Sequence, residues 1–234
     1  MLYTLSRHAG YGTGKFCPDK CRLLPGPTTD NANNALRRLH MPKKSIGAHP
    51  YLYPEPIMLV GTYDSYGKPN IATIAWAGIC NADPVLVGLA MRSSRYTHSA
   101  IIARKAFTIS IPTQDMAATT DFAGLATGRK IDKFTVAGLT PVASDVIDAP
   151  YVAECPVVLE CFLSQQIELP SHTYFIGEVL DIKAEEACLT ASGEHPDILK
   201  VMPMAYDAGE NAYYSLNKLI GKAFSIGVPM LRQK

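Results

Sequence analysis

From Ile57 onward, the sequence is divided into short segments rich in β-branched and apolar residues, each bounded by turn signals. Such segments are typical of β-strands. One segment between them, THSAIIARK (97–105), is typical of a helix, with a threonine suited to the N-cap and basic residues at its end. Few helices separate the strands, which predicts an antiparallel barrel of all-β to α+β class rather than a Rossmann sheet. The predicted strands are IMLVGTYD (57–64), NIATIAWAG (70–78), VLVGLAM (85–91), FTISIP (107–112), VVLECFLSQQIEL (157–169) and YFIGEVLDIKA (174–184).

The second predicted strand has unusually small side chains around the chain's single tryptophan. In TIAWAG (73–78), two alanines and a glycine surround Trp76. Small side chains allow backbone N–H and C=O groups to approach the edge of a flat ring system. A crowded barrel interior would select the same small residues, so this segment alone leaves both interpretations open.

Two polar segments have the composition of an anion site. RSSRYT (92–97) places arginines and hydroxyls directly before the predicted helix, where free amides and the helix dipole favour anions. GLATGRKIDKF (124–134) is a glycine-bearing loop with three basic residues. Taken singly, each segment is equally typical of a solvated surface.

The amino-terminal residues differ from the rest of the chain. They are rich in Gly, Pro, Asn and Thr and show no sustained apolar period. We therefore predict a poorly ordered extension over residues 1–45 and one domain over residues 46–234. Met41 is a candidate start of the native protein.

Bulk properties exclude several classes of protein. The net charge of +1 gives no support for nucleic-acid binding. The apolar runs are too short to span a bilayer, and the amino end does not read as a secretory signal, so we expect a cytoplasmic protein without membrane association. In that compartment the six cysteines are expected to be reduced rather than paired. Cys17 and Cys21 lack the further ligands of a zinc site, so no metal site is predicted.

In this order and spacing, the motifs resemble the flavin reductase-like family, also called the FMN-binding split barrel, and its flavoredoxin-like branch in particular. The resemblance covers about residues 46–228. It implies a six-stranded Greek-key split barrel that forms a homodimer, with FMN bound non-covalently near the subunit interface. The motifs that carry it are GKPNIATIAW, DPVLVGLAMRSSRYTHSAI, FTISIP, DFAGLATGRKIDKF, ECPVVLEC, SHTYFIGEV and the closing tyrosine-rich segment.

By position in these motifs, the resemblance also implies which residues bind FMN. One group contacts the isoalloxazine, a second engages the ribityl phosphate, and a third closes the site, from this subunit or its partner. These groups are Thr73, Ile74, Ala75 and Trp76; Arg92, Ser94, Tyr96 and Thr97; and Thr127, Gly128, Arg129 and Lys133.

The resemblance places one candidate catalytic residue, His172, near the open face of the flavin. Relatives commonly have Asp-His at this position, whereas this chain has Ser171 before His172. An aspartate would orient the imidazole and raise its pKa. From its chemistry alone, a histidine at the start of a strand is more typical of a surface residue.

Three functions are compatible with these motifs. The first is an FMN-dependent oxidoreductase that passes electrons from NAD(P)H through FMN to free flavin, ferric iron or a protein acceptor. The second is a flavoredoxin-type electron carrier that is reduced by a partner protein and has no significant NAD(P)H activity. The third is a flavin-binding module without turnover. The cofactor motif is common to all three.

Overall fold

The structure of the protein, a computed structural model, describes residues 42–231. Residues 42–49 are exposed and contain neither helix nor strand. A compact unit begins at Pro50 and includes all the secondary structure described below. Most of the predicted extension over residues 1–45, with Met41, lies outside the described residues, so the proposed domain boundary stays a prediction.

The described chain is mostly β-structure. Twelve strands form a seven-stranded sheet, a three-stranded sheet and a two-stranded ribbon. In chain order they are β1 Glu55–Pro56, β2 Met58–Tyr63, β3 Pro69–Ile74, β4 Ala77–Ala82, β5 Val85–Met91, β6 Ala106–Ile111, β7 Pro141–Ala143, β8 Pro150–Val152, β9 Val157–Glu168, β10 Thr173–Ala184, β11 Met204–Asp207 and β12 Ala212–Ser215.

The seven-stranded sheet curls back on itself. Its strand order is β3-β2-β6-β9-β10-β5-β4, and every neighbouring pair is antiparallel. The two edge strands, β3 and β4, are consecutive in the chain and separated only by Ala75 and Trp76. The two ends of the sheet must therefore meet at these residues, which we call the seam.

Short helices cover the outside of this sheet. The first helix follows β5 and begins near the seam, and the second and third helices follow β6. Arg95 is the N-cap of the first helix, without a side-chain cap, so the predicted capping role of Thr97 is wrong. The buried hydroxyl of Thr97 instead accepts a hydrogen bond from Asn70 Nδ2 at 2.9 Å. The helices are α1 Tyr96–Arg104, α2 Ala117–Leu125, α3 Lys133–Ala137, α4 Ile198–Val201 and α5 Val228–Leu231.

Two apolar clusters hold the strands together. The larger fills the interior of the curled sheet, where Phe107 and Phe175 are fully buried with β-branched and aliphatic side chains. The smaller packs α2 and α3 against β3 through Ile71, Ala123 and Phe134. Helices α2 and α3, which carry the glycine-bearing loop between them, are thereby fixed beside the seam.

The strand predictions hold with two corrections. The segment predicted as one strand over 70–78 is divided at the seam, so the main sheet has seven strands where six were predicted. At the carboxyl end, where no strand was predicted, the chain forms the hairpin β11–β12 followed by residues without regular structure up to α5. The barrel class itself is confirmed by structural relatives described below.

The cysteines in the described part of the chain agree with the prediction of reduced thiols. Cys80, Cys155, Cys161 and Cys188 are all free, and Cys155 and Cys161 are buried as expected. Cys17 and Cys21 lie outside the described residues. Within residues 42–231, no helix is long and apolar enough to cross a membrane.

Candidate functional site

The seam opens into a shallow cleft. A cavity of about 140 Å³, which we call the seam cleft, is lined by Thr73, Ile74, Ala75, Trp76, Ala90, Met91, Arg92, Arg95 and His172. The backbone at the seam is held by a hydrogen bond from Ala90 N to the Trp76 carbonyl at 2.9 Å. The cleft is therefore lined by the end of β3, the end of β5 and the start of β10.

His172 and Trp76 form one wall of the seam cleft. Their ring centroids lie 4.9 Å apart with an angle of 38° between the planes. Ser171 Oγ lies 2.8 Å from His172 Nδ1, so the serine supplies a hydrogen-bond partner for the imidazole. Burial, with a further contribution from the positive charge of Arg92, lowers the pKa of His172. The imidazole is therefore favoured in its neutral form.

A second cavity lies where α1 begins. We call this cavity of about 180 Å³ the anion pocket; among the described residues that line it, none is acidic. The first turn of α1 also carries no acidic residue, so its free amides and dipole are not neutralised locally. The polar lining residues are Thr73, Arg92, Ser94, Arg95, Tyr96, Thr97, Thr127 and Lys133.

Lys133 is the buried cation of the anion pocket. Its side chain is 5% exposed, and Nζ donates to the carbonyls of Ile71 at 2.8 Å and Ala123 at 2.7 Å. An ammonium has three donors, so one N–H is left after these two bonds. Burial and the charge of Arg95 lower the pKa of Lys133 to about 8. The residue therefore links β3 to α2 and brings a positive charge to the pocket.

Two glycines allow the walls of the anion pocket to approach each other. A Cβ at Gly128 would collide with Asn70 Oδ1 and lie 2.7 Å from Cδ1 of Tyr96. A Cβ at Gly124 would lie 3.2 Å from the Cβ of Thr73. The Thr73 hydroxyl also donates to the Thr120 carbonyl at 2.6 Å. These contacts fix the loop between α2 and α3 against β3.

A third cavity adjoins the other two. We call this space of about 360 Å³ the tyrosine pocket, because Tyr206 and Tyr213 from β11 and β12 lie on its wall with ring centroids 5.7 Å apart. Tyr213 donates to Asp121 at 2.9 Å and Tyr206 to Asn211 at 2.8 Å. Since Thr73 and Arg95 line all three cavities, the cavities adjoin one another, and we call them together the groove.

The structure brings most of the predicted site residues into this groove. Tyr96 lines the anion pocket, although its hydroxyl donates to Asp64 at 2.9 Å. Arg129 lines none of the three cavities, and its guanidinium lies 5.8 Å from the ring centroid of Tyr96. The predicted residues that do line the groove are Thr73, Ile74, Ala75, Trp76, Arg92, Ser94, Tyr96, Thr97, Thr127, Gly128, Lys133 and His172.

Several groove residues were missed at the level of sequence. Arg95 lines all three cavities and donates to the Gly124 carbonyl at 3.0 Å. It is the second arginine of RSSRYT, so its signal was present in the motif. Asp121 begins the motif DFAGLATGRKIDKF, and Tyr206 and Tyr213 lie in the closing tyrosine-rich segment, but only the tertiary fold brings the three residues together at the groove.

Comparison with known proteins identifies the family. Residues 51–211 match the model of the flavin reductase like domain. The chain belongs to this family. Its fold is similar to that of flavoredoxin of Desulfovibrio vulgaris (Miyazaki F), with 46% sequence identity and a TM-score of 0.76 over 80% of this chain and 100% of that one.

Two further family structures are similar. Flavoredoxin from Methanosarcina acetivorans is 29% identical with a TM-score of 0.76, over 81% of this chain and 100% of that one. A protein with a split barrel domain from Shewanella frigidimarina is 23% identical with a TM-score of 0.66, over 73% and 86% of the two chains. The predicted family and barrel class are thereby confirmed.

Proposed function

We propose that this flavin reductase-like protein binds FMN non-covalently and transfers electrons through it, as an FMN-dependent NAD(P)H oxidoreductase. The observation that carries the proposal is that the anion pocket adjoins the seam cleft. Thr73, Arg92 and Arg95 line both. One groove therefore offers a site for a single terminal phosphate next to a flat cleft bounded by backbone.

The donor set of the anion pocket fits a phosphate group. Arginine and lysine side chains, hydroxyls and a helix N-terminus are the groups that bind phosphate in proteins. Ser94 and Thr127 are exposed or partly exposed hydroxyl residues on this wall, and Lys133 adds a buried charge. The close approach at Gly128 shapes the pocket so that these donors converge. We therefore assign Arg92, Ser94, Thr127 and Lys133 to the phosphate.

The seam cleft fits a planar ring. Ala75 has only a small side chain, so its backbone is accessible beside the ring of Trp76. Bound FMN would supply one- and two-electron transfer there. In this arrangement the Ser171 contact engages His172 Nδ1, which leaves Nε2 as the atom at which we expect a proton to be held or exchanged. Arg92 would place a positive charge beside the reacting region.

For the electron donor we propose NAD(P)H, and for the acceptor free flavin, ferric iron or a protein. A carrier that is reduced by a partner protein is a second candidate, because the relative with 46% identity is named a flavoredoxin. Stopped-flow mixing of yellow holoprotein with NADH or NADPH separates the two functions. Rapid bleaching of the flavin absorbance supports the oxidoreductase, and no bleaching leaves the carrier.

The first test of the cofactor proposal is its identity. Purified protein is expected to be yellow and to release FMN rather than FAD on heat denaturation, since the groove has donors for one terminal phosphate. Chromatography of the released flavin distinguishes the two. A colourless protein that does not take up added FMN would contradict the proposal.

We also propose a cytoplasmic homodimer. Apolar side chains after β12 are exposed, with Ile220 93% and Phe224 101% accessible, and such a surface is unusual on a monomer. The free thiols agree with a reducing compartment. Light scattering of the FMN-loaded protein is expected to give twice the 25.4 kDa chain mass. Truncation after Ser215 keeps the β11–β12 hairpin and is expected to weaken dimerisation, whereas an unchanged dimer would assign the interface elsewhere.

A further inference from the structure

The turn between β2 and β3 carries a buried acid. Asp64 directly follows β2 and is only 7% exposed. Its Oδ1 atom accepts hydrogen bonds from the backbone N–H groups of Tyr66 at 2.8 Å and Lys68 at 2.9 Å. Its Oδ2 atom accepts a third hydrogen bond from the hydroxyl of Tyr96 at 2.9 Å. Both oxygens of this carboxyl group are therefore used, one within the turn and one toward α1.

These hydrogen bonds favour the ionised form of Asp64. Burial by itself would raise the pKa of the carboxyl group, but the bonds from Lys68, Tyr96 and Tyr66, with the charge of Lys68, together lower it. The bond to Asp64 and burial raise the pKa of Tyr96. A hydrogen bond to a charged acceptor is stronger than one between neutral groups. A tyrosine hydroxyl has a single proton, so Tyr96 has no second one to donate to a ligand.

The ring of Tyr96 supports the loop between α2 and α3. A Cβ at Gly128 would lie 2.7 Å from Tyr96 Cδ1, so the backbone of Gly128 lies directly against the ring. The guanidinium of Arg129 lies 5.8 Å from the ring centroid, within the range of a cation–π contact. The loop turns at this point, where Ile131 N donates to the Thr127 carbonyl at 3.1 Å. The ring thus contacts the two residues that follow Thr127, a residue of the anion pocket.

An ion pair makes a second connection from the same turn to this loop. Lys68 Nζ lies 3.1 Å from Asp132 Oδ2. Asp132 is the N-cap of α3 and directly precedes Lys133, the buried cation of the anion pocket. Both side chains of the pair are partly exposed, and ion pairs of this kind contribute little to stability. We therefore expect the buried hydrogen bond between Asp64 and Tyr96 to be the more important support.

We infer that Asp64 is a positioning residue, which fixes the ring of Tyr96 and through it the loop that brings Thr127 to the anion pocket. Asp64 lines none of the three cavities, so it acts through Tyr96 and not on a ligand. Its effect on phosphate binding rests on the function proposed above. The order of the loop, by contrast, is a property of the protein without ligand.

The first experiment measures the order of the loop in protein freed of flavin. Tyr96→Phe deletes the hydroxyl and keeps the ring. NMR relaxation of the backbone amides of Gly128 and Arg129 should give lower order parameters in this variant than in the native protein, because the ring is no longer held by Asp64. Tyr66→Phe is the matched control, since it removes a hydroxyl of the same turn from a side chain that is 91% exposed. Equal order parameters in the native protein and both variants would overturn the inference.

The second experiment separates the phosphate site from general stability. Riboflavin has the ring system of FMN and lacks the phosphate, so a displaced phosphate donor should affect FMN alone. In Tyr96→Phe, we expect FMN binding to weaken about tenfold and riboflavin binding to stay within about twofold of the native protein, measured by fluorescence titration of apoprotein. Asp64→Ala should show the same selectivity. The double variant should lose no more FMN affinity than Asp64→Ala alone, because both changes remove the same hydrogen bond.

Failure of this inference and failure of the cofactor proposal give different results. If the native protein binds no FMN, the proposed function fails, and the relaxation measurement still decides whether Tyr96 holds the loop. Equal losses of FMN and riboflavin affinity in Tyr96→Phe, or no loss of either, would show that the hydrogen bond serves the fold alone and would overturn the inference. If Asp64→Ala does not fold, as judged by circular dichroism, the comparison of Tyr96→Phe with Tyr66→Phe decides the matter.

Discussion

The two ends of the groove are built in different ways. The anion pocket is held by side-chain hydrogen bonds, from Lys133 to two carbonyls and from Asn70 to Thr97. The seam cleft lies around Ala75 and Trp76, two residues outside any strand, and its tryptophan is 39% exposed. A preorganised pocket binds with little ordering cost, whereas an open cleft gives access to a second reactant. We therefore expect affinity to depend mainly on the first end and reactivity on the second.

The largest effect on FMN binding is expected from a substitution that fills the anion pocket. In Gly128→Val, the added side chain would collide with Asn70 and Tyr96, and overpacking of this kind typically costs about 1–3 kcal/mol. We expect FMN binding to weaken about 100-fold, measured by fluorescence titration of apoprotein. Gly78→Ala is the matched control, because a Cβ there meets no atom within 4 Å. Equal FMN affinities of the two variants would show that the pocket adapts to the larger side chain.

The next largest effect is expected from an exposed cation of the same pocket. Arg92→Ala should weaken FMN binding by about 1.5–3 kcal/mol, the usual contribution of a charge-assisted hydrogen bond. Its free energy of unfolding should change little, because Arg92 is exposed. Arg129→Ala is the control, since that side chain lies over Tyr96 outside the groove. A greater loss in the Arg129 variant would move the phosphate site toward the loop.

Proton linkage at Lys133 tests the pocket without mutation. Its lowered pKa of about 8 means that the buried ammonium becomes neutral as the pH rises through this value. FMN affinity should therefore be highest below about pH 8 and fall above it, because the neutral amine attracts phosphate less. The stability of the apoprotein changes with pH in the opposite direction. Between the folded pKa of Lys133 and its ordinary value of 10.5, the unfolded state binds more protons than the folded state, so the free energy of unfolding rises with pH.

This linkage is measured by titrating apoprotein with FMN across the range and by denaturant unfolding at the same pH values. Lys133→Met should bind FMN weakly at every pH and lose the Lys133 contribution to the pH dependence. An affinity that stays constant between pH 7 and 9.5 in the native protein would exclude a titrating lysine at the phosphate.

The smallest effect on binding is expected at the cleft. Ser171→Asp places a carboxylate beside His172 and should leave FMN affinity within about 0.5 kcal/mol, as is usual for exposed positions away from special features. It should raise the pKa of His172, because a carboxylate stabilises the imidazolium. NMR titration of the imidazole measures the shift. A large loss of FMN would instead place Ser171 among the binding residues.

Sequence patterns predicted the strands well and the seam poorly. Periodicity and turn signals located six of the seven strands of the main sheet to within a few residues, because those strands bury side chains in the core. Strand β4 is largely exposed and was not predicted as a strand of its own. The break at Ala75 and Trp76 was not predicted, since the local composition is that of a continuous strand. Closure of the sheet imposes the break, and closure is a tertiary property.

The same limit applies to the site. Motif resemblance located most groove residues. Their hydrogen-bond partners, such as Asn70 and the carbonyl acceptors of Lys133, could be identified only from the structure. The roles assigned to individual residues toward FMN stay predictions. Tyr206 and Tyr213 lie in the closing tyrosine-rich segment and come to the groove because β11 pairs with β1 and β12.

The strand order of the main sheet has a consequence for folding kinetics. Strand β2 pairs with β6, and β6 pairs with β9, about fifty residues further along the chain. Such non-local pairing is slow, because chain entropy is lost before the contacts form. In the folded sheet, β5 and β4 reach the other strands only through β10. We therefore expect the groove to be among the last parts of the molecule to assemble, so that a nascent chain has no site to offer a ligand.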